Sequence, residues 1–251
     1  MPKPLKHCFV VCPGSLAAAP GFLIELLEDA LTIAVDGGLS HFEQWGLPPS
    51  VWVGDGDSRK KKNKRSFGKG AFSEVKLESN KAYSDLEYAL HVAGKLRLDG
   101  VWSGDLILLG AQGERFDQDF GNLLSVDWWL RDMLSVIEAK TCPNVVSYGE
   151  HGTWTASVSS VDMNLKPGTL FSVFAFDGHT KLTIKGAEFE IARATEFGHA
   201  THGLSNRAKK APVQVKSHPT VQKQRSSERP FFVIMPKQRM QALSKRKKAK
   251  R

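Results

Sequence analysis

The sequence contains no run of apolar residues approaching the length of about 18 that crosses a bilayer, and its three cysteines, Cys8, Cys12 and Cys142, form no Cys-x-x-Cys pair. A membrane-spanning helix, a disulfide scaffold and a structural zinc site are therefore not expected, and a reducing, cytoplasmic setting is. Two common phosphate-binding signatures are also missing. No Gly-x-x-x-x-Gly-Lys-Ser/Thr loop occurs, which argues against a P-loop enzyme, and no Gly-x-Gly-x-x-Gly follows a strand-like run, which leaves a dinucleotide site unsupported. Near the amino end, Pro13-Gly14 stops the apolar run Cys8–Cys12 after five residues. That is shorter than the roughly 7–15 residues of a secretion-signal core, so the run reads as a short buried strand.

What is present is an ordinary globular composition: 251 residues, 41% hydrophobic and 24% charged, enough for one large domain or two small ones. The formal charge of +9 is concentrated. Arg59–Arg65 carries six basic residues and the tail from Lys237 to Arg251 carries eight, with no acid in either. Without these two stretches, 21 of the 35 basic residues remain against 26 acidic ones, so the body is mildly acidic. The basic stretches read as a solvated loop and a disordered, solubilising tail. Nucleic-acid contact by the loop or the tail is the less favoured reading, because the tail lacks interleaved aromatics and no helix-turn-helix, zinc-finger or RNP pattern accompanies it.

Organisation changes midway. In the first half, strand-like runs (Cys8–Cys12, Leu31–Val35, Val51–Val53, Ser73–Leu77, Leu106–Leu109) alternate with helical spacing (Pro20–Asp29, Leu39–Trp45, Ser84–Leu96, Asp119–Leu134). Ser84-Asp85-Leu86-Glu87 is a capping box, in which Ser84 and Glu87 each satisfy a backbone N–H at the helix start. The alternation predicts an α/β fold: an amino-terminal Rossmann-like α/β/α domain with a parallel sheet, over residues 1–144. From Val145 the runs are short and β-rich (Thr153–Val161, Thr169–Phe176, Lys181–Ile184, Phe189–Ile191), separated by Pro167-Gly168, Asp177-Gly178 and Lys185-Gly186. These predict a carboxy-terminal antiparallel β-sandwich over 145–236, followed by the tail 237–251. Trp128-Trp129 reads as core or domain interface, and Trp154 is a candidate wall of an aromatic ligand pocket.

Ligands of open parallel sheets bind at the carboxyl ends of the strands. Here the strands end in acids: Asp36 after the second, Asp55 and Asp57 after the third. Asp85 opens the capped helix, and Asp117 follows the strand that ends at Leu109. Taken singly, each acid fits a turn or a helix start. Converging on one rim, they would repel one another unless a cation compensated, and hard carboxylate oxygens suit Mg²⁺ bridged to phosphates. Gly54 and Gly56 would let the backbone approach a phosphate. The reading is a magnesium–nucleotide site, with Asp85 or Asp117 as acceptor of an alcohol proton.

Five segments, in order, resemble the thiamin pyrophosphokinase family. They are Asp36-Gly37-Gly38, Gly54-Asp55-Gly56-Asp57-Ser58, Ser84-Asp85, Gly113-Glu114-Arg115-Phe116-Asp117-Gln118 and Gly203-Leu204-Ser205-Asn206. The resemblance implies transfer of diphosphate from ATP to the hydroxyl of thiamin, giving thiamin diphosphate and AMP. It places Asp36, Asp55, Asp57 and Asp85 on Mg²⁺; Gly37, Gly38, Ser58, Arg115 and Gln118 along the nucleotide; and Asp85, Asp117 and Arg115 in catalysis. Thr201, Ser205 and Asn206 would help form the thiamin pocket, at the interface of a homodimer. The sequence departs from the family where further acids usually precede the Thr-Asp pair, since Asn80-Lys81-Ala82-Tyr83 stands there, and where Arg207 replaces a common Glu. These departures keep two other readings open: a noncatalytic nucleotide- or thiamin-compound-binding relative, and a pyrophosphokinase for another alcohol such as a pterin.

Overall fold

The computed structural model describes residues 3–16, 21–56, 67–68, 70–113, 115–149, 152–197, 202–222 and 225–236. The basic stretch 59–65 and the tail 237–251 lie outside these residues. The chain forms two compact units. Of the described residues, one unit comprises those up to 125 and 146–149; the other comprises 126–145 and those from 152 to 236. The division thus differs from a single cut at 144/145, because the second half of one long helix clusters with the β-rich unit.

In the first unit, β1 (Cys8–Val11), β2 (Leu31–Val35), β3 (Val51–Gly54), β4 (Ser73–Lys76), β5 (Leu106–Leu109) and β6 (Val145–Tyr148) lie in the order β6-β5-β1-β2-β3-β4. The pairs β5–β1, β1–β2, β2–β3 and β3–β4 are parallel. β1, β2 and β5 are buried at every position, which is why they read as unbroken apolar runs rather than as alternation. The edge strand β4 carries Glu74 and Lys76 and is mostly exposed, a charge pattern that discourages further pairing.

The helices are α1 (Gly21–Glu28), α2 (Leu39–Trp45), α3 (Asp85–Leu98) and α4 (Phe116–Val136). Gly46, at φ +67°, ends α2 in the left-handed conformation that glycine adopts without strain. The predicted capping box of α3 is present: the Glu87 N–H donates to Ser84 Oγ at 3.2 Å, and the Ser84 N–H donates to Glu87 Oε2 at 2.8 Å. Leu23, Leu27, Leu39 and Phe42 pack with Phe9, Ala34, Trp52 and Ile107 as one core. No helix among the described residues is long and apolar enough to cross a membrane.

The second unit holds two antiparallel sheets. One runs β12 (Gly203–Arg207), β9 (Leu170–Phe174), β16 (Phe231–Pro236), β7 (Gly152–Ser157); the other runs β11 (Ile191–Glu196), β10 (Lys181–Lys185), β13 (Val213–His218), β8 (Ser160–Met163). β14 (Thr220–Gln222) and β15 (Arg225–Ser227) form a separate hairpin. Alternate residues Phe171, Val173, Phe231 and Val233 of the first sheet face Leu182, Ile184, Val213 and Val215 of the second in one apolar cluster, the predicted sandwich.

Three expectations change in detail. The run Thr153–Val161 is two strands in different sheets, broken at Val158-Ser159. The strand expected at Phe189–Ile191 begins at Ile191 and runs to Glu196 as a largely exposed, polar strand. Trp129 is core as expected, but Trp128 is exposed, and Trp154 is buried against Phe232 with ring centroids 5.8 Å apart.

A charged network ties the second unit together. Asp177 Oδ1 accepts from the His179 N–H and from the N–H and hydroxyl of Thr180, while Oδ2 meets Arg229 at 3.1 Å and Arg131 at 3.5 Å. Burial acts to raise the Asp177 pKa, but the donors of Thr180 and His179 and the Arg131 charge outweigh it and hold the carboxyl below its usual range. Asp177→Ala leaves two half-buried guanidinium groups short of a partner and is expected to lower unfolding free energy by about 2–4 kcal/mol in urea at neutral pH. A carboxyl with a depressed folded pKa stabilises above its unfolded value of about 3.9 and loses that contribution as pH falls through the folded value. The gap between native and variant should therefore close on acidification below about pH 4; a gap that persists there contradicts the assignment.

Candidate active site

In the first unit the chain runs from β1 to β4 in one direction across the sheet and places β5 and β6 on the other side of β1. The strand order therefore reverses between β1 and β5, where open sheets form their ligand crevice. A cleft of about 660 Å³ lies there. It is lined by Cys12–Gly14 after β1, Asp36 after β2, Asp55 after β3, Lys81 and Tyr83–Leu86 leading into α3, Gly110–Gly113 after β5, and Arg115, Gln118, Asp119 and Asn122 at the start of α4.

Its walls are fixed by backbone contacts. The Cys12 N–H donates to the Leu109 carbonyl at 2.8 Å and the Gly14 N–H to the Gly110 carbonyl at 3.0 Å, joining the two loops across the crevice. His41 Nε2 lies 3.0 Å from the Gly14 carbonyl, and burial pushes this imidazole's pKa down, so it is neutral and donates there at physiological pH. Asn122 Nδ2 donates to the Ala111 carbonyl at 2.8 Å, Asp119 Oδ1 accepts from the Gly113 N–H at 2.9 Å, and Gln112 Nε2 donates to Ser147 Oγ at 3.1 Å.

Asp36 sits in a 3-10 turn (Asp36–Gly38) with φ +43°, a conformation costing of order 1 kcal/mol in a non-glycine residue. The Trp52 indole N–H holds it by donating to its carbonyl at 3.1 Å. Gly54 makes room for it, since a Cβ there would meet the Asp36 Cα at 2.9 Å. The space at Gly54 thus belongs to Asp36 and the Trp52 ring rather than to a phosphate, a correction to the expectation for this glycine. Gly38 likewise has a packing reason, because a Cβ there would strike the Val11 carbonyl. The Gly37 carbonyl accepts from the Ser40 hydroxyl at 2.8 Å.

Of the five acids expected to converge, Asp36, Asp55 and Asp85 line the cleft and Asp117 does not, while Asp57 lies outside the described residues. Asp36 is only 8% exposed, and its Oδ1 is buried with no hydrogen-bond donor among the described residues. Asp55 Oδ2 and Asp85 Oδ1 flank one ammonium, Lys81 Nζ, at 2.8 Å and 3.2 Å. Burial raises the Asp85 pKa, opposed by Lys81 and reinforced by the charges of Asp36 and Asp55, so the three carboxylates act on one another. The hydrogen bond to Asp55 raises the Lys81 pKa, which keeps it an ammonium. Among the described residues no group of three His, Cys, Asp or Glu side chains stands ready to chelate an ion. The donor set nonetheless fits a hard divalent cation: its ligands are carboxylate oxygens, and one of them is buried without a partner.

Gln118 and Arg115 also line the cleft. The Arg115 guanidinium grips Asp117 through Nε–Oδ1 at 3.2 Å and Nη2–Oδ2 at 2.5 Å, both side chains being about two-thirds exposed. That contact holds the Asp117 carboxyl below its usual range. In the second unit Ser205 is exposed at φ +58°, with its N–H donating to Ser172 Oγ at 3.1 Å. Asn206 is buried: its amide accepts from and donates to the Phe189 backbone, so it clamps that segment. Asp57, Ser58 and Thr201 lie outside the described residues.

The sequence reading passed over Lys81, Trp52, His41, Gln112, Asp119 and Asn122. For Lys81 a signal existed, a cation four residues before Asp85 in a stretch where the family usually has acids. The others act through backbone contacts that no local pattern announces.

Residues 24–137 match the model of a family described as thiamin pyrophosphokinase, catalytic domain. No curated protein matches the chain. Among solved structures, a thiamine pyrophosphokinase from Bacillus subtilis superposes with TM-score 0.69 at 18% identity, over 93% of this chain and all of that one. The enzyme from Candida albicans gives 0.67 at 14% identity, over 92% and 90% of the two chains. The yeast enzyme gives 0.65 at 10% identity, over 94% and 88%. At these identities the likeness is one of fold, and the family match adds the sequence signature of the half that holds the cleft. Residues 24–137 thus match the model of the thiamin pyrophosphokinase catalytic domain, and the chain shares its fold with the solved structures of that name.

Proposed function

We propose that the chain transfers diphosphate from ATP to the hydroxyl of thiamin, releasing AMP. The observation that carries this reading is the convergence of Asp36, Asp55 and Asp85 on one cleft at the strand-order reversal, within the segment that matches the family model. The alcohol must attack phosphorus in line, so the protein's work is to position the reactants and neutralise charge.

Asp36, Asp55 and Asp85, with Asp57, would hold Mg²⁺. Bound there, the ion would neutralise the phosphate oxygens and orient the transferred group. Arg115 exchanges its grip on Asp117 for the phosphate chain, a bidentate partner of the same geometry. Of the two candidate proton acceptors, Asp117 has both oxygens on Arg115, whereas Asp85 lines the cleft, so Asp85 is the better placed base. Gln118, beside Arg115, contacts the nucleotide. Thr201 and Ser205 are assigned to the thiamin site, with Asn206 shaping it through Phe189. The active form is a homodimer in the cytoplasm.

Purified protein incubated with ATP, Mg²⁺ and thiamin should form thiamin diphosphate and AMP in equal amounts. Asp55→Asn should lower turnover at least about 100-fold. Formation of AMP with a pterin alcohol but not with thiamin would replace the acceptor. Tight ATP binding with no AMP from any alcohol would make the chain a binding protein. A second test concerns the ligand-free state. Asp36 has an oxygen without a donor among the described residues and adds negative charge to the cluster, so Asp36→Asn should raise the melting temperature of metal-free protein while turnover falls. A lower melting temperature would mean that Asp36 serves the fold.

A further inference from the structure

Lys81 is a feature of the cleft that neither the strand-end pattern nor the family reading explains. Its side chain is 13% exposed and contacts two carboxylates from different parts of the fold, Asp55 after β3 (8% exposed) and Asp85 at the start of α3 (24% exposed). The ammonium stands between them, within ion-pair distance of both. An ion bridging Asp55 and Asp85 would need that same place, and two cations so close would repel. The balance of charge points the same way. Among the described residues, the ammonium of Lys81 meets two of the three carboxylates Asp36, Asp55 and Asp85, and Asp36 Oδ1 is buried without a hydrogen-bond partner.

We propose that Lys81 is the resident counter-ion of the cleft: its ammonium holds the seat between Asp55 and Asp85 in the ligand-free chain and gives it up to the divalent cation. The released side chain stays in the cleft, where the phosphate chain of the nucleotide is the anion that receives it. One cation replaces another at the carboxylates, no covalent bond changes, and Asp55 and Asp85 are never left without a cation between turnovers. Ala82, beside it, supplies no side-chain oxygen, so the exchange at Asp55 and Asp85 decides how firmly the ion is held. This rests on the reading of the cleft as a cation–nucleotide site, but its test uses neither ATP nor thiamin.

Mn²⁺ titrated into the full chain without nucleotide, followed by calorimetry, should bind Lys81→Met at least tenfold more tightly than the native chain, because no ammonium has to be displaced. The double variant Lys81→Met/Asp55→Asn should lose that gain. Equal or weaker binding by Lys81→Met overturns the proposal, since a lysine that merely supported the fold would not compete with the ion. Should Lys81→Met fail to fold, the native chain gives a second readout. Acylation of Lys81 by an amine reagent, mapped by peptide mass, should become several-fold faster when Mg²⁺ alone is added, and an unchanged or slower rate overturns the proposal. A chain that passes these tests yet makes no thiamin diphosphate keeps the counter-ion and loses the proposed reaction. A chain that makes thiamin diphosphate but fails them keeps the reaction and loses the counter-ion.

Discussion

Two carboxylates on a single ammonium, with a third in the same cleft, set the terms for the rest of the amino-terminal unit. Like charges in a partly buried site oppose folding, and the chain accepts that cost at Asp36, Asp55 and Asp85 instead of dispersing them over the surface. Lys81 offsets part of it from a segment that no strand or helix claims, between β4 and the capped start of α3. What remains uncompensated, seen in the Asp36 oxygen without a donor among the described residues, is available to a ligand that brings positive charge.

Holding such a cluster in place demands rigid surroundings, and these are built from apolar strands and backbone hydrogen bonds rather than from further charge. β1, β2 and β5 are buried along their whole length, so their carboxyl ends are fixed to one another by the register of the sheet. Trp52 holds the strained backbone of Asp36, and Gly38 and Gly54 are small because carbonyl or Cα atoms pass directly over them. The cysteines of β1 belong to this scaffold too. Burial pushes the Cys12 thiol up to about 12 and the Cys8 thiol higher still, so neither is a nucleophile at physiological pH although Cys12 borders the cleft.

Much of this was legible in the sequence because it follows from local rules. Strands covered on both faces read as apolar runs, Ser84-Asp85-Leu86-Glu87 reads as a helix start, and parallel topology then brings strand-end acids to one rim. Legibility failed where a residue's role comes from something distant in the chain. Lys81 reads as a loop lysine until β3 is seen to end beside it, and Asn122 reads as a helix surface residue until Ala111 is found above it. In the second unit, Val213–His218 was missed because its buried residues alternate with Gln214, Lys216 and His218, and Ile191–Glu196 was shortened because it is an exposed edge. The amide of Asn206, which the resemblance assigns to the thiamin pocket, bonds the Phe189 backbone, an arrangement that spacing alone does not reveal.

The central claim is that the acid cleft accepts a polyphosphate only together with a divalent cation. Calorimetric titration of the full chain with ATP, once with excess Mg²⁺ and once with a chelator, tests it most directly. Carboxylates facing the phosphates without an ion between them repel the nucleotide, so the account predicts clear binding with Mg²⁺ and at least about a tenfold loss, some 1.4 kcal/mol, without it. Equal affinity in the two titrations would contradict it.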